Sequence, residues 1–546
     1  MRIAIAQVNP TVGDLAGNRR LVEEAAAKAE SERADVVVLP EMVLTGYPPL
    51  DLVERDGFVR DQLRELELLA PASRRVAILL GAVLPREAVG PVHLENAAVL
   101  IAGGRRVAAQ AKTLLPTYDV FDEKRHYVPA EHREPVRLGA ASVGLTVCED
   151  TWVDPMGYAM DPVGELAAAG ASLCFNLSCS PWHVGKAAER RRMIAALATR
   201  HRVPIVFVNQ VGGNDGLIFD GGSFALDARG RVHAALPLFD TAFGVVELPA
   251  DAAGCLPDEV RDPDAVAQLE AGLVLGIRDY FRKQGLPPGA VLGLSGGVDS
   301  AVTAHLAVRA LGPDRVVGVA MPGPFSSGHS SEDALELGRL LGIEVRRVDI
   351  RPIYDAYLAV FRALFGAKSD YGVAQQNIQA RIRGAILMAI SNAENRLVLA
   401  TGNKSELSVG YCTLYGDTVG GLAVIGDVYK RDVYALARHA NQAGERIPQH
   451  TIDKAPSAEL APNQRDEDDL PDYDVLDAIL ERAIEGGAGP ASLLPPPGAT
   501  PERVRDVLAR IDRNEYKRRQ APLVLRTSKK SFGSGRRLPI VHRYGR

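Results

Sequence analysis

Two groups of residues in this sequence are of types and spacings that could do chemistry. The first is a turn. The string VLGLSGGVDS at 291–300 ends a short apolar run in Ser-Gly-Gly, and an apolar helical pattern follows at once. That reads as strand, tight turn and helix. Glycines let the backbone approach a ligand closely, and the unpaired N–H groups of a first helical turn point at it. Such a turn cradles phosphate. The Gly-Lys-Ser/Thr ending of a Walker A loop is missing, so no lysine is placed for the β- and γ-phosphates. Asp299 stands where a carboxylate could hold Mg²⁺ against a phosphate chain. A plain βα turn with glycines for packing is the alternative.

The second group lies in the first half. VVVLPE puts Glu41 just past an apolar run, AQAKTLLP puts Lys112 after a strand-like stretch, and VGLTVCED puts Cys148 at the end of a third apolar run. Taken singly, these read as a surface acid, a solvated base and a packed thiol. Together they offer a base, a cation and a nucleophile for opening an amide. A carboxylate can take the thiol proton and later pass it to the leaving ammonia. An ammonium can stabilise the oxyanion, and by proximity it favours ionised carboxylate and thiolate. No histidine is required, and His93 and His126 are read as structural or exposed. Cys179, after Asn176-Leu177-Ser178, is the rival nucleophile.

The elements that must position these groups are legible as alternation. Apolar runs at 3–8, 36–39, 76–83, 97–101, 142–147, 172–177, 205–208 and 243–248 predict strands, with helices at 18–31 and 186–200. This makes residues 1–248 one α/β unit. A stretch rich in Ala, Asp, Gly and Pro at 249–264 reads as a linker. A second α/β unit, 265–546, opens with a helix at 265–284 and continues strand, helix, strand over 316–321, 330–341 and 344–350. The Gly/Pro-rich segment 486–501 predicts an exposed excursion, and the acid-rich run 466–474 a solvated face. The basic end around Lys529 reads as ordered.

Composition narrows the class. At 546 residues, 47% hydrophobic and 24% charged, the chain fits a soluble globular protein of a few domains. A net charge of −5 gives no reason to expect nucleic acid or an anionic membrane as partner. No apolar run reaches the ~18 residues of a membrane span, and residues 1–8 start as a strand with no leader pattern. Five cysteines without CxxC or zinc spacing suit a reducing cytoplasm.

The first half resembles the nitrilase, or carbon–nitrogen hydrolase, superfamily in PEMVLTGYPPLDL, KTLLPTYDVFDEKRHY and VCEDTW. The resemblance implies an α-β-β-α sandwich, with Glu41 as general base, Lys112 as oxyanion stabiliser, Cys148 as nucleophile and Glu123 as a supporting glutamate. Positions matching the glutamine-using branch are Tyr118, Ser180 and Lys186, which would hold the amino acid's charged groups.

In the second half, SGGVDS resembles the pyrophosphate loop of the N-type ATP pyrophosphatases, which implies cleavage of ATP between its α- and β-phosphates. With NIQARIR, TGNKSE, KAPSAEL, DEDDLPDYD and the terminal KKS, this half is similar to NAD synthetases. The whole chain thus resembles the glutamine-dependent NAD⁺ synthetases. The resemblance implies a doubly wound parallel sheet. ATP would be bound by Gly293, Leu294, Ser295, Gly296, Gly297, Val298, Asp299, Ser300 and Thr401. Mg²⁺ would be held by Asp299 and Glu406, and deamido-NAD⁺ by Asn377, Glu406 and Lys529. Arg381 and Arg383 share the NIQARIR helix and add donors for a phosphate-bearing ligand. Glutamine, ATP and deamido-NAD⁺ are the expected partners, and a homo-oligomer is expected. Two rivals are other glutamine-fed adenylating amidotransferases and an amide hydrolase with a nucleotide-sensing second half. Arg2 at position 2 argues against an N-terminal cysteine glutaminase, and retained Asp299 and Glu406 argue against a dead ATP site.

Overall fold

The alternating apolar runs of the first half become two six-stranded sheets. The computed structural model describes residues 1–86, 93–249, 254–285, 289–489 and 492–543. It divides into two units, Met1–Pro263 and Asp264–Arg546. In the first unit one sheet runs Ala242–Glu247, Arg2–Gln7, Val36–Val38, Ala77–Pro85, Leu94–Ala102, Arg105–Ala111. The other runs Val232–Ala235, Phe224–Leu226, Ile205–Asn209, Leu173–Ser178, Ala141–Val147, Val136–Leu138. Central neighbours pair in parallel and the outer ones antiparallel.

Strand side chains alternate between faces. Ile3, Ile5, Val36 and Val38 meet Leu145, Val147, Phe175 and Leu177 in one cluster, so the two sheets pack face to face. The opposite faces are covered by helices. Ala4, Ala6 and Val37 pack with Val22 and Ala26 of helix Leu15–Ser31. Phe207 and Ile205 pack with Ile194 and Ala198 of helix Lys186–His201. This is the expected α-β-β-α sandwich. Of strand Arg105–Ala111 only the stretch just before Lys112 reads as strand-like in the sequence, because Arg105, Arg106 and Val107 are exposed on a sheet edge.

In the second unit every strand pairing is parallel. The sheet runs Glu344–Arg347, Val316–Ala320, Gly289–Gly293, Arg396–Ala400, Leu422–Ala423, Leu523–Val524. Chain order is therefore 3-2-1-4-5-6, the doubly wound order, with its reversal between Gly289–Gly293 and Arg396–Ala400. Ligand crevices open beyond the carboxyl ends of the two strands flanking such a reversal. The SGGVDS and TGNKSE turns leave those two ends.

Three expectations need correction or narrowing. The acid-rich run is a solvated face in most of its acids, since Glu467, Asp468, Asp469, Asp472 and Asp474 are exposed, but Asp466 and Leu470 are buried, and the run leads into helix Tyr473–Leu480, which packs with Val504, Val507 and Ile511. The segment 486–501 is pinned by buried Leu493, while residues 490 and 491 lie outside the described residues. Of the linker stretch, residues 250–253 lie outside the described residues. Residues 254–263 are held on the first unit by a two-way backbone bridge between Cys255 and Val232 and by the Arg191–Asp262 ion pair. No helix among the described residues is long and apolar enough to cross a membrane.

Candidate active sites

Glu41, Lys112 and Cys148 come from three strand ends and meet inside the first unit. Glu41 follows Val36–Val38, Lys112 follows Arg105–Ala111, and Cys148 opens the turn Cys148–Thr151 after Ala141–Val147. All three are buried. The Glu41 backbone presses against Gly81, where an added Cβ would lie 2.1 Å from the Met42 nitrogen and 2.5 Å from the Glu41 Cα. Only glycine fits there.

Lys112 Nζ donates to Glu41 Oε1 (3.0 Å) and to Glu123 Oε1 (2.8 Å). Asn96 Nδ2 donates to Glu41 Oε1 (2.6 Å), and the Cys179 N–H donates to Glu41 Oε2 (2.8 Å). The Tyr47 hydroxyl donates to Glu123 Oε1 (3.0 Å). Every group in the expected set except the thiol is thus oriented by a named bond. Cys148 sits at φ +44°, a strained left-handed conformation for a residue with a side chain.

Electrostatics decide the resting state. Burial, then Glu41, pushes the Cys148 thiol well above its ordinary value, and Lys112 only partly opposes this. Lys112 does favour the thiolate, as expected from its proximity, but burial and Glu41 outweigh it, so the thiol needs the expected base during the reaction. Burial would lower the Lys112 ammonium, but Glu123 and Glu41 outweigh it and hold it charged. Burial raises Glu123 to about 7 against the pull of Lys112. The rival Cys179 points elsewhere: its thiol donates to the Glu41 carbonyl (3.1 Å) and to Gln210 Oε1 (3.2 Å).

Beside this cluster lies a group of polar and aromatic side chains. The Tyr118 and Tyr158 hydroxyls both donate to Glu149 Oε1 (2.8 and 3.0 Å), and Lys186 Nζ lies 3.6 Å from the centre of the Trp152 ring. Buried Ser180 is held through its N–H by Asn209 Oδ1 (2.9 Å). Asn209 in turn donates to Asp220, which is locked in a fully buried pair with Arg190. Glu149, Trp152 and Tyr158 were missed from the sequence. Glu149 and Trp152 sit inside the VCEDTW string, but no spacing rule marked them.

The second unit holds a cavity of about 460 Å³ at the sheet reversal. Gly293–Ser295, Gly297–Ser300, Thr401, Glu406, Asn377 and Arg383 all line it. Helix Val298–Leu311 starts there without a side-chain cap. Gly296, at φ +75°, packs so tightly that a Cβ would lie 2.5 Å from the Ser330 carbonyl oxygen. Asn403 Nδ2 donates to Asp299 Oδ1 (2.8 Å). Lys430 Nζ bonds Asp299 Oδ2 (2.5 Å) and Glu406 Oε1 (3.4 Å). Two carboxylates thus converge on one cation, which is the donor set a hard divalent ion takes. Lys430 was missed in the sequence, where VYKRDVY reads as an ordinary helix start.

Arg381 and Lys529 are not where the strings suggested, and Lys404, to which no role was given, serves the fold. Lys404, inside TGNKSE, turns away to pair with Asp427 (2.9 Å) and Glu485 (3.2 Å) and to hold the Lys530 carbonyl. Arg381 donates to the Leu414 carbonyl and does not line the cavity. Lys529 is exposed and does not line it either.

Burial, then Asp299, raises Glu406 to about 8, with Lys430 opposing. Glu406 thus binds its proton more tightly in the folded chain than in the unfolded one. Charging it costs stability as pH rises from about 4.5 towards about 8. Glu406→Gln is therefore expected to stabilise the ligand-free protein near pH 8 by about 1–2 kcal/mol, and to gain little at pH 5. Chemical denaturation at both pH values checks this.

Comparison with known proteins divides the chain the same way. The carbon–nitrogen hydrolase family matches residues 2–255, and the NAD synthase family matches residues 270–521. A glutamine-dependent NAD(+) synthetase from Synechocystis sp. is 43% identical over 99% of this chain and 99% of its own. One from Thermotoga maritima is 39% identical over 100% and 99%. The structure of a glutamine-dependent NAD⁺ synthetase from Acinetobacter baumannii in complex with ADP superposes with TM-score 0.78 at 36% identity, covering 99% of this chain and 98% of that one.

Proposed function

This chain belongs to the glutamine-dependent NAD⁺ synthetases, and from that premise we propose which of its residues carry the two half-reactions. In the first, glutamine binds beside Cys148. Glu149 and the Tyr118 hydroxyl suit the α-amino group, and Ser180 and Lys186 suit the α-carboxylate. Glu41 takes the Cys148 proton as sulfur attacks the amide carbon. Lys112, held charged by Glu41 and Glu123, faces the oxyanion. The tetrahedral adduct collapses as Glu41 returns the proton to nitrogen, so ammonia leaves and a thioester remains. Glu41 then deprotonates water, which cleaves the thioester to glutamate and restores the thiol. The buried, protonated resting thiol supports this order, because a base is needed at the first step.

In the second half-reaction the glycine turn and first helical turn at 293–300 cradle the ATP phosphates, with Thr401 on the nucleoside side. The nicotinate carboxylate of deamido-NAD⁺ attacks the α-phosphorus and pyrophosphate leaves. Ammonia attacks the acyl adenylate, loses a proton, and AMP leaves to give NAD⁺. Asp299 and Glu406 would hold Mg²⁺, which supplies charge neutralisation on the phosphate chain. Asn377 and half-buried Arg383 supply donors for the dinucleotide on the cavity wall. Lys529 is assigned to the same ligand outside this cavity, on a segment that Lys404 and Asp427 anchor.

The observation that carries the reading is the pairing of a buried Glu–Lys–Cys set with a doubly wound ATP-type crevice in one chain. A homo-oligomer in the cytoplasm is part of the proposal. It is supported by an exposed apolar stripe, Ile353, Tyr357, Val360 and Leu364, along helix Arg351–Phe365, and by five free cysteines. The test supplies glutamine, Mg·ATP and either deamido-NAD⁺ or nicotinic acid mononucleotide. Equal amounts of AMP, pyrophosphate and amidated product are expected with the dinucleotide and little with the mononucleotide. Equal turnover of both acceptors would remove the assignment of the second pocket.

A further inference from the structure

Asp150 has no part in the chemistry described above, yet it is buried at 1% exposure beside the thiol turn. Its Oδ1 accepts the backbone N–H groups of Thr113 (2.9 Å) and Leu114 (2.8 Å), the two residues after Lys112. Its Oδ2 accepts the N–H of Val147 (3.0 Å), the residue before Cys148. One carboxylate therefore joins the peptide that carries the cation to the peptide that carries the nucleophile, although the two lie on different sheets. The same turn holds Cys148 at φ +44°, with the Thr151 hydroxyl donating to the Cys148 carbonyl (3.0 Å). A strained nucleophile conformation persists only where its surroundings over-determine it.

We infer that Asp150 is a positioning residue that sets the separation between the Lys112 ammonium and the Cys148 sulfur. The carboxylate is required because three N–H donors converge on it and it offers only acceptors. An asparagine could accept the Thr113 and Leu114 pair, but its Nδ2 donors would then face the Val147 N–H. Two donors would meet, and the Cys148 turn would separate from the Lys112 loop. A misplacement of about 1 Å in a catalytic constellation costs on the order of 10²-fold.

The inference rests on Cys148 being the nucleophile, so its test keeps the two apart. In the full-length protein, Asp150→Asn is assayed for glutamine-driven synthesis, for ammonium-driven synthesis, and for the pH dependence of Cys148 alkylation by iodoacetamide, followed by mass spectrometry of the Cys148 peptide. We expect kcat with glutamine to fall about 10–100-fold while KM for glutamine changes less than about threefold. The alkylation midpoint is expected to rise, because Lys112 no longer opposes the thiol's burial. Charge alone predicts the reverse, since removing a nearby negative charge should lower a thiol's midpoint. Asp150→Glu keeps both oxygens and the charge but lengthens the arm, so it too should lower kcat and raise the midpoint. It serves if Asp150→Asn does not fold, with ammonium-driven synthesis certifying the folded chain. An unchanged kcat, or a midpoint that falls or stays put in the variant that folds, overturns the inference. Failure of the underlying reading looks different: Cys148→Ala itself would retain glutamine turnover.

Discussion

Cys148→Ala is expected to abolish glutamine-driven NAD⁺ synthesis, by about four orders of magnitude or more, and to leave ammonium-driven synthesis within about twofold of the parent. The asymmetry follows from the architecture. Glutamine needs a covalent route, because an amide with ammonia as leaving group does not yield to water at neutral pH. In the proposed reading, sulfur, Glu41 and Lys112 supply that route only as a set. Ammonium enters through the second unit, whose cavity contains none of these residues. The alternative thiol, Cys179, is committed to the Glu41 carbonyl and Gln210, while its backbone N–H holds the Glu41 carboxylate. Its role is to orient the base. Cys179→Ala should therefore keep most glutamine turnover. Loss of turnover in Cys179→Ala with retention in Cys148→Ala would reverse the assignment. Comparing initial rates with the two nitrogen sources in both variants decides it.

Asp299→Ala is expected to stop adenylation with either nitrogen source, on the order of 10³-fold. Asp299 is held by Asn403 at one oxygen and by Lys430 at the other, so it is fixed before any nucleotide arrives. Its loss removes half of the carboxylate pair and leaves buried Lys430 facing Glu406 alone. Lys430 then has one carboxylate to itself, which closes the place proposed for the metal rather than opening it. Glutamate release from the first unit should persist at a reduced rate. Pyrophosphate release from deamido-NAD⁺ and ATP, followed by a coupled phosphate assay, reads the effect. An Asp299→Ala protein that releases pyrophosphate at the parent rate would end the claim that this carboxylate serves the nucleotide.

The fold class was legible because buried parallel strands leave continuous apolar runs, as at 36–39, 143–147 and 290–293. The edge strand Arg105–Ala111 left only a short strand-like end before Lys112, since half of it faces solvent. At the sites, the strand-end positions of Glu41, Lys112, Cys148, Asp299 and Glu406 were legible, and the fold brings the first three together and the last two together. Lys430 was not. It lies 131 positions from Asp299, and only the folded sheet brings its ammonium between the two carboxylates. Lys404 shows the opposite failure. It stands inside a functional string but serves an internal ion pair with Asp427, because a helix start presents neighbouring residues to different sides. At Cys148 the balance of charges was the illegible part: full burial and the Glu41 charge outweigh the pull of Lys112.

The central claim is that nitrogen released at Cys148 becomes the carboxamide nitrogen of NAD⁺ made in the second unit. Glutamine labelled with ¹⁵N at the amide, supplied with Mg·ATP and deamido-NAD⁺ in a large excess of unlabelled ammonium at neutral pH, tests it directly. Bulk ammonia is mostly protonated at that pH, and ammonium is not a nucleophile. The account predicts NAD⁺ heavier by one mass unit in most product molecules, and no heavy NAD⁺ from Cys148→Ala. Unlabelled NAD⁺ from the parent protein, with glutamate released at the same rate whether or not ATP and deamido-NAD⁺ are present, would contradict it.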